Sequence, residues 1–148
     1  MIDARRIEEA GLNALQTQRQ LFYDGWLLRV SPGSAKRARS VNAHFGSTLP
    51  LDEKIAHCER VYGERELPAL FRITPFVHPA DLEGALARRG YRPFQPTLVQ
   101  AMELVGRELP SQGPAEVALV EPSIDAFADA VAALRGSPPG QRDALRER

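Results

Sequence analysis

Arg29, Arg39 and Asn42 are the side chains in this sequence best suited to meet a small polar molecule. Arginine presents a planar fork of donors that matches carboxylates and phosphates, and an asparagine amide both donates and accepts. By the two-residue alternation of a strand, Arg29 falls on the face opposite Trp26, and Asn42 on the face opposite Val41. If the two strands pair, these polar groups converge on one side of a sheet. Two readings of that convergence stand: the rim of a small-molecule site, or an ordinary solvent-facing sheet surface.

The run Lys36-Arg37-Ala38-Arg39 lies between the two strands. Lys36, Arg37 and Arg39 could bind an anion there, or simply form a solvated hairpin loop. The preceding Gly33-Ser34-Ala35-Lys36 is not a phosphate loop. That motif needs an earlier glycine and a Ser or Thr after the lysine, so that backbone N–H groups and a hydroxyl cradle phosphate and magnesium. Here Arg37 follows the lysine.

Other chemistries have less support. His44, His57 and His78 are dispersed, with Cys58 beside His57, and no C-x-x-C or H-x-x-x-H pair supplies zinc-ligand spacing. No metal site is expected. There is no G-x-S-x-G elbow and no G-x-G-x-x-G dinucleotide fingerprint. Cys58 falls on the apolar face of a helix and reads as a small core residue. Asp52 and Glu53 are adjacent in a first helical turn, where they complement the dipole and do not face each other. Trp26 reads as core. No catalytic residue is assigned.

Composition narrows the class of protein. The chain has 148 residues, 43% of them hydrophobic and 26% charged, which fits a globular fold. Nineteen basic and 19 acidic side chains give zero formal charge, so neither nucleic-acid nor polybasic membrane binding is favoured. Lys36 and Lys54 are the only lysines. A lone cysteine suits a reducing compartment. The start, MIDARRIEEAG, lacks an apolar signal-peptide region, and no stretch has the ~20 apolar residues of a membrane span. A cytoplasmic protein is expected.

The elements that must position these groups follow from periodicity and punctuation. Residues 3–20 read as a helix capped by Asp3, with Ile7, Ala10, Gly11, Ala14, Leu15 and Gln18 on its inward stripe. Residues 22–30 read as a strand with an Asp24-Gly25 turn or bulge near its start, broken by Ser31-Pro32-Gly33-Ser34. Residues 40–45 form its hairpin partner. Pro50 precedes a helix with Leu51, Ile55, Cys58 and Tyr62 on one face. A short strand spans 70–74. Pro79 opens a third helix that Gly90 closes, and a β-rich run over 97–105 completes the unit.

The fold class predicted is α+β: a mixed, largely antiparallel sheet flanked by helices over 1–105. Residues 106–115, with two prolines and two glycines, read as a linker. Residues 116–148 read as the opening of a second domain: a strand over 116–120, a helix with Ile124, Phe127, Val131 and Leu134 in one stripe ending at Gly136, and a helix cut off in its first turns. Docking of this part on the first unit is the alternative.

Three stretches carry a family resemblance. They are Gly25-Trp26-Leu27-Leu28-Arg29-Val30 leading to Lys36-Arg37-Ala38-Arg39-Ser40-Val41-Asn42; Pro50-Leu51-Asp52-Glu53-Lys54-Ile55; and Leu70-Phe71-Arg72-Ile73-Thr74-Pro75 followed by Leu86-Ala87-Arg88-Arg89-Gly90-Tyr91. Together they resemble the N-terminal region of two-part bacterial GNAT-family N-acetyltransferases, in which a cofactor-free GNAT-like half precedes a catalytic half. The resemblance spans about residues 5–105.

It implies a parent that transfers acetyl from acetyl-CoA to the amine of a small molecule or peptide. In that chemistry a helix N-terminus holds the pyrophosphate, a general base deprotonates the amine, and a donor assists the leaving thiolate. The family's phosphate turn, Q/R-x-x-G-x-G/A, is absent here. No catalytic or cofactor residue therefore carries over, and the acetyl-CoA site is expected downstream of Arg148. The alternative is a non-enzymatic ligand-binding or assembly module, with a homodimer formed through Phe127, Val131 and Leu134.

Overall fold

A computed structural model describes residues 3–15, 17–31, 35–106 and 120–146. Its centre is a four-stranded sheet ordered β1-β2-β3-β4, with β1 at Arg19–Tyr23, β2 at Trp26–Val30, β3 at Val41–Ala43 and β4 at Phe71–Arg72. The first three strands are antiparallel neighbours, while β3 and β4 run parallel. The sheet is thus mixed and largely antiparallel, and the α+β class holds.

Local chemistry explains the first hairpin. Tyr23 pairs with Trp26, so Asp24 and Gly25 alone form the loop. Both have positive φ, 40° and 82°. A two-residue loop with that geometry matches the twist of the flanking strands, and Asp-Gly is among its preferred sequences. The turn therefore separates two strands of equal length, where the sequence suggested one strand with an irregular start.

The first helix, α1 (Ala4–Ala14), is capped by the Asp3 side chain, which accepts from Arg5 N at 2.9 Å. It ends well before residue 20, because the chain from Arg19 onward joins the sheet. Its inward face is also turned from the expected stripe. Glu8 and Leu12 are buried, whereas Ala10 and Ala14 are exposed. The reason is a buried carboxylate: Glu8 ion-pairs with Arg72 of β4 and fixes the rotation of the helix.

The helix α2 (Leu51–Gly63) provides the crossover from β3 to its parallel neighbour β4, and α3 (Leu82–Arg88) follows. Ile55, Cys58 and Tyr62 are fully buried, as their spacing predicts. They meet Trp26, Leu28, Val41 and Ala43 from one sheet face, together with Leu82 and Leu86 of α3. This is the hydrophobic core. Gly90, at φ 87°, ends α3 in the left-handed region.

Two expectations need correction. The strand expected over 70–74 is only two residues long, Phe71–Arg72. The β-rich run over 97–105 forms no strand. Leu98 and Val105 are 91% and 89% exposed. Strand preference reflects packing against a neighbouring ladder, and among the described residues the sheet ends at β4.

The linker expected over 106–115 and the strand expected over 116–120 lie almost wholly outside the described residues, as do Pro32, Gly33 and Ser34. Beyond them, α4 (Ile124–Arg135) is capped by Ser123 and closed by Gly136 at φ 59°. It packs against α5 (Pro139–Arg146), and Asp129 and Asp125 of α4 pair with Arg142 and Arg146. Among the described residues no helix is long and apolar enough to cross a membrane.

Candidate functional site

The strand register gives the sheet two chemically different faces. Trp26, Leu28, Val41 and Ala43 point into the core. The intervening residues Leu27, Arg29, Asn42 and Arg72 share the opposite face: Leu27 pairs with Asn42, which pairs with Arg72. Gln20 and Phe22 of β1 extend the same face, opposite Arg29 and Leu27. Helix α1 covers the β2–β4 part of it, through Arg29 at one end and the Glu8–Arg72 pair at the other.

Arg29 is 3% exposed, which rules out a solvent-facing role. Its Nη2 donates to the Leu12 carbonyl at 2.6 Å and to the Leu15 carbonyl at 2.7 Å. These are last-turn carbonyls of α1, which lack helical partners and carry the negative end of the helix dipole. Its Nε and Nη1 are buried with no hydrogen-bond partner among the described residues. Burial, then the nearby charge of Arg37, lowers the pKa of the group.

Asn42 is fully buried. Its amide nitrogen donates to the Ser40 carbonyl at 2.9 Å and to the Leu27 carbonyl at 3.3 Å, while its Oδ1 has no hydrogen-bond partner among the described residues. Arg39 is half-buried, and among the described residues its buried Nε likewise lacks a partner. The expected convergence on one sheet face is therefore present for Arg29 and Asn42. A helix roofs it, which neither sequence reading anticipated. Arg39 follows the short 3-10 turn Lys36–Ala38 that links β2 to β3.

Where α1 leaves the β1–β2 part uncovered, a cleft of about 730 Å³ opens. Leu12 of α1, Phe22 of β1 and Leu27 and Arg29 of β2 line it, with Arg19 and Arg65. Sequence reasoning missed Gln20 because it placed it in the first helix, and missed the role of Phe22 because it put it at the irregular start of a single strand over 22–30. It missed Glu8 and Arg72 too, although alternation from Phe71 would have put Arg72 on the Arg29 face.

The remaining candidates have structural surroundings. His44 is buried against Phe76, with ring centroids 5.4 Å apart, and burial lowers its pKa. His57 stacks on Tyr23 at 3.7 Å. Cys58 is buried in the core. Lys54 lies over the Trp26 ring at 4.1 Å, pairs with Asp24 at 3.2 Å and donates to the Asp24 carbonyl at 2.5 Å. Asp52 binds Arg89 at 3.2 Å, tying α2 to the end of α3. Lys36 donates to Gln95 at 2.6 Å. Among the described residues no three His, Cys, Asp or Glu side chains gather as metal ligands.

No family model, curated protein or solved structure matches this chain.

Proposed function

We propose that this chain is the N-terminal part of a two-part GNAT-family N-acetyltransferase, a cytoplasmic enzyme that moves acetyl from acetyl-CoA to a small-molecule or peptide amine. The observation that carries the reading is the sheet. An antiparallel β1-β2-β3 ladder passes through α2 into a parallel β3-β4 pair, with helices on both faces. That agrees with the mixed, helix-flanked sheet which the resemblance over residues 5–105 implies.

In this reading the first unit supports a catalytic half, and acetyl-CoA binds downstream of Arg148. Arg29 and Asn42 help to hold the support rigid, through their bonds to backbone carbonyls. Arg39, half-buried beside the Lys36–Ala38 turn, is the candidate of the three that does not brace the sheet through a backbone carbonyl, and it is left for contact with an acceptor.

The test extends the chain along its own reading frame and assays release of free CoA thiol with a panel of amines. Amine-dependent release by the extended protein, with no acetyl-CoA binding to the 148-residue chain in calorimetry, supports the proposal. Saturable acetyl-CoA binding by the short chain, or an extension lacking a glycine-rich phosphate turn, sinks it.

One observation favours a second reading, a homodimerising module. The small residues Ala128 and Ala132 of α4 are buried, while Ile124, Phe127 and Leu134 are 59%, 52% and 88% exposed. Together with Val131 they form one stripe at three- and four-residue spacing. A concentration-dependent mass in light scattering, abolished by Leu134→Asp, would support it.

A further inference from the structure

The cleft beside α1 has an uncompensated charge. Among the described residues Arg19, Arg29 and Arg65 line it and no aspartate or glutamate does; Arg29 lies on the Phe22–Leu27 face, whereas Arg19, paired with Val30, lies on the other. The chain as a whole is neutral, so the bias is local. Arg65 already donates to the Val61 carbonyl and lies 3.7 Å from Glu64. Arg29 is different: it is 97% buried, stays charged at any working pH, and has Nε and Nη1 hydrogens with no partner among the described residues. The α1 carbonyls satisfy only its Nη2. A buried guanidinium with free donors is unfavourable until an acceptor meets it. Next to this charge, the cross-strand pair Phe22 and Leu27 offers an apolar surface, with Phe22 75% exposed.

We propose that the cleft binds an amphipathic small-molecule anion, a carboxylate bearing an apolar chain or ring. The carboxylate accepts from Arg29, and its apolar part covers Phe22 and Leu27 on the same sheet face. Charge complementarity selects the head group, and burial of the aromatic ring supplies affinity. The site does not depend on the acetyltransferase reading and stands if that reading fails.

The experiment titrates the 148-residue chain with sodium octanoate and, separately, octan-1-ol, which shares the tail but not the charge. Calorimetry gives affinity and amide chemical-shift changes give location. Octanoate is expected to bind saturably, about tenfold or more tighter than the alcohol, with shifts centred on β1, β2 and the end of α1. Gln20 faces Arg29 across the hairpin and is exposed, so Gln20→Glu places a competing carboxylate there without disturbing the core. It should weaken octanoate about tenfold and leave octan-1-ol unchanged. Phe22→Ser should weaken both. Equal affinity for the two probes, no saturable binding of octanoate, or full octanoate affinity in Gln20→Glu overturns the proposal.

Discussion

The Tyr62 hydroxyl donates a 2.7 Å hydrogen bond to the backbone carbonyl of Arg29. Tyr62 reaches β2 from α2 on the core side, and the Arg29 side chain leaves β2 on the other side to hold the end of α1. One residue of the central strand therefore fastens a helix to each face of the sheet.

The two bonds should have separable effects. Tyr62→Phe removes one neutral hydrogen bond to a buried carbonyl and should cost about 1 kcal/mol in urea unfolding. Arg29→Met removes two charge-assisted bonds and orphans two helix-end carbonyls, so about 3 kcal/mol is expected. Hydrogen exchange distinguishes them. Arg29→Met should lose protection mainly in α1, and Tyr62→Phe in α2 and β2. Equal loss in both helices for either variant would contradict the separation.

How much of this arrangement the sequence revealed depends on the reach of the interactions. Ile55, Cys58 and Tyr62 repeat on one helical face, and Gly136 closes α4, so those elements were legible from short windows. Alternation likewise put Arg29 opposite Trp26. What covers that face was not legible, because the rotation of α1 depends on Glu8 meeting Arg72, a partner in a later strand. A buried carboxylate is invisible to apolar periodicity. The run over 97–105 failed for a related reason: its composition suits a strand, yet among the described residues no neighbouring ladder takes it up.

Cys58 should be inert in the folded protein. It is fully buried, and burial pushes its thiol up to about 12, with the nearby Lys54 charge acting weakly in the other direction. The thiolate is the reactive form. At pH 8, reaction with a disulfide reagent should be about 100-fold or more slower than in denaturing urea. A native rate close to the denatured one would mean that α2 opens readily from the sheet.

Gly25 should tolerate no side chain. A Cβ there would lie 2.3 Å from the carbonyl oxygen of Gly46, and its φ of +82° is strained for any other L-residue. That oxygen and the Phe45 carbonyl oxygen, 3.1 Å away, are both backbone atoms, so the backbone itself would have to move. Gly25→Ala should therefore cost about 3 kcal/mol, measured as a drop in the urea midpoint at unchanged slope. Gly63→Ala is the control. No atom lies within 4 Å of its added Cβ and its φ is not positive, so its effect should be small.

The Asp24 carboxylate should give the fold an acid-sensitive clasp. It accepts from Leu49 N at 2.9 Å, from Thr48 N at 2.9 Å and from the Thr48 hydroxyl at 2.8 Å, and it pairs with the buried Lys54. The Leu49 backbone bond is the largest influence holding its pKa well below the usual carboxylate range. An aspartate in the unfolded chain titrates near ~3.9, so below about pH 4 the unfolded state takes up a proton that the folded state refuses. Asp24 therefore contributes stability above that pH and loses it progressively as the pH falls further. Asp24→Asn keeps a residue that accepts the positive φ of the turn while removing the charge. The stability gap between wild type and this variant should be largest at neutral pH and should narrow between about pH 4 and pH 2. A gap that stays constant over that range would show that the loops around Thr48 are held by geometry alone, and not by the charge of Asp24.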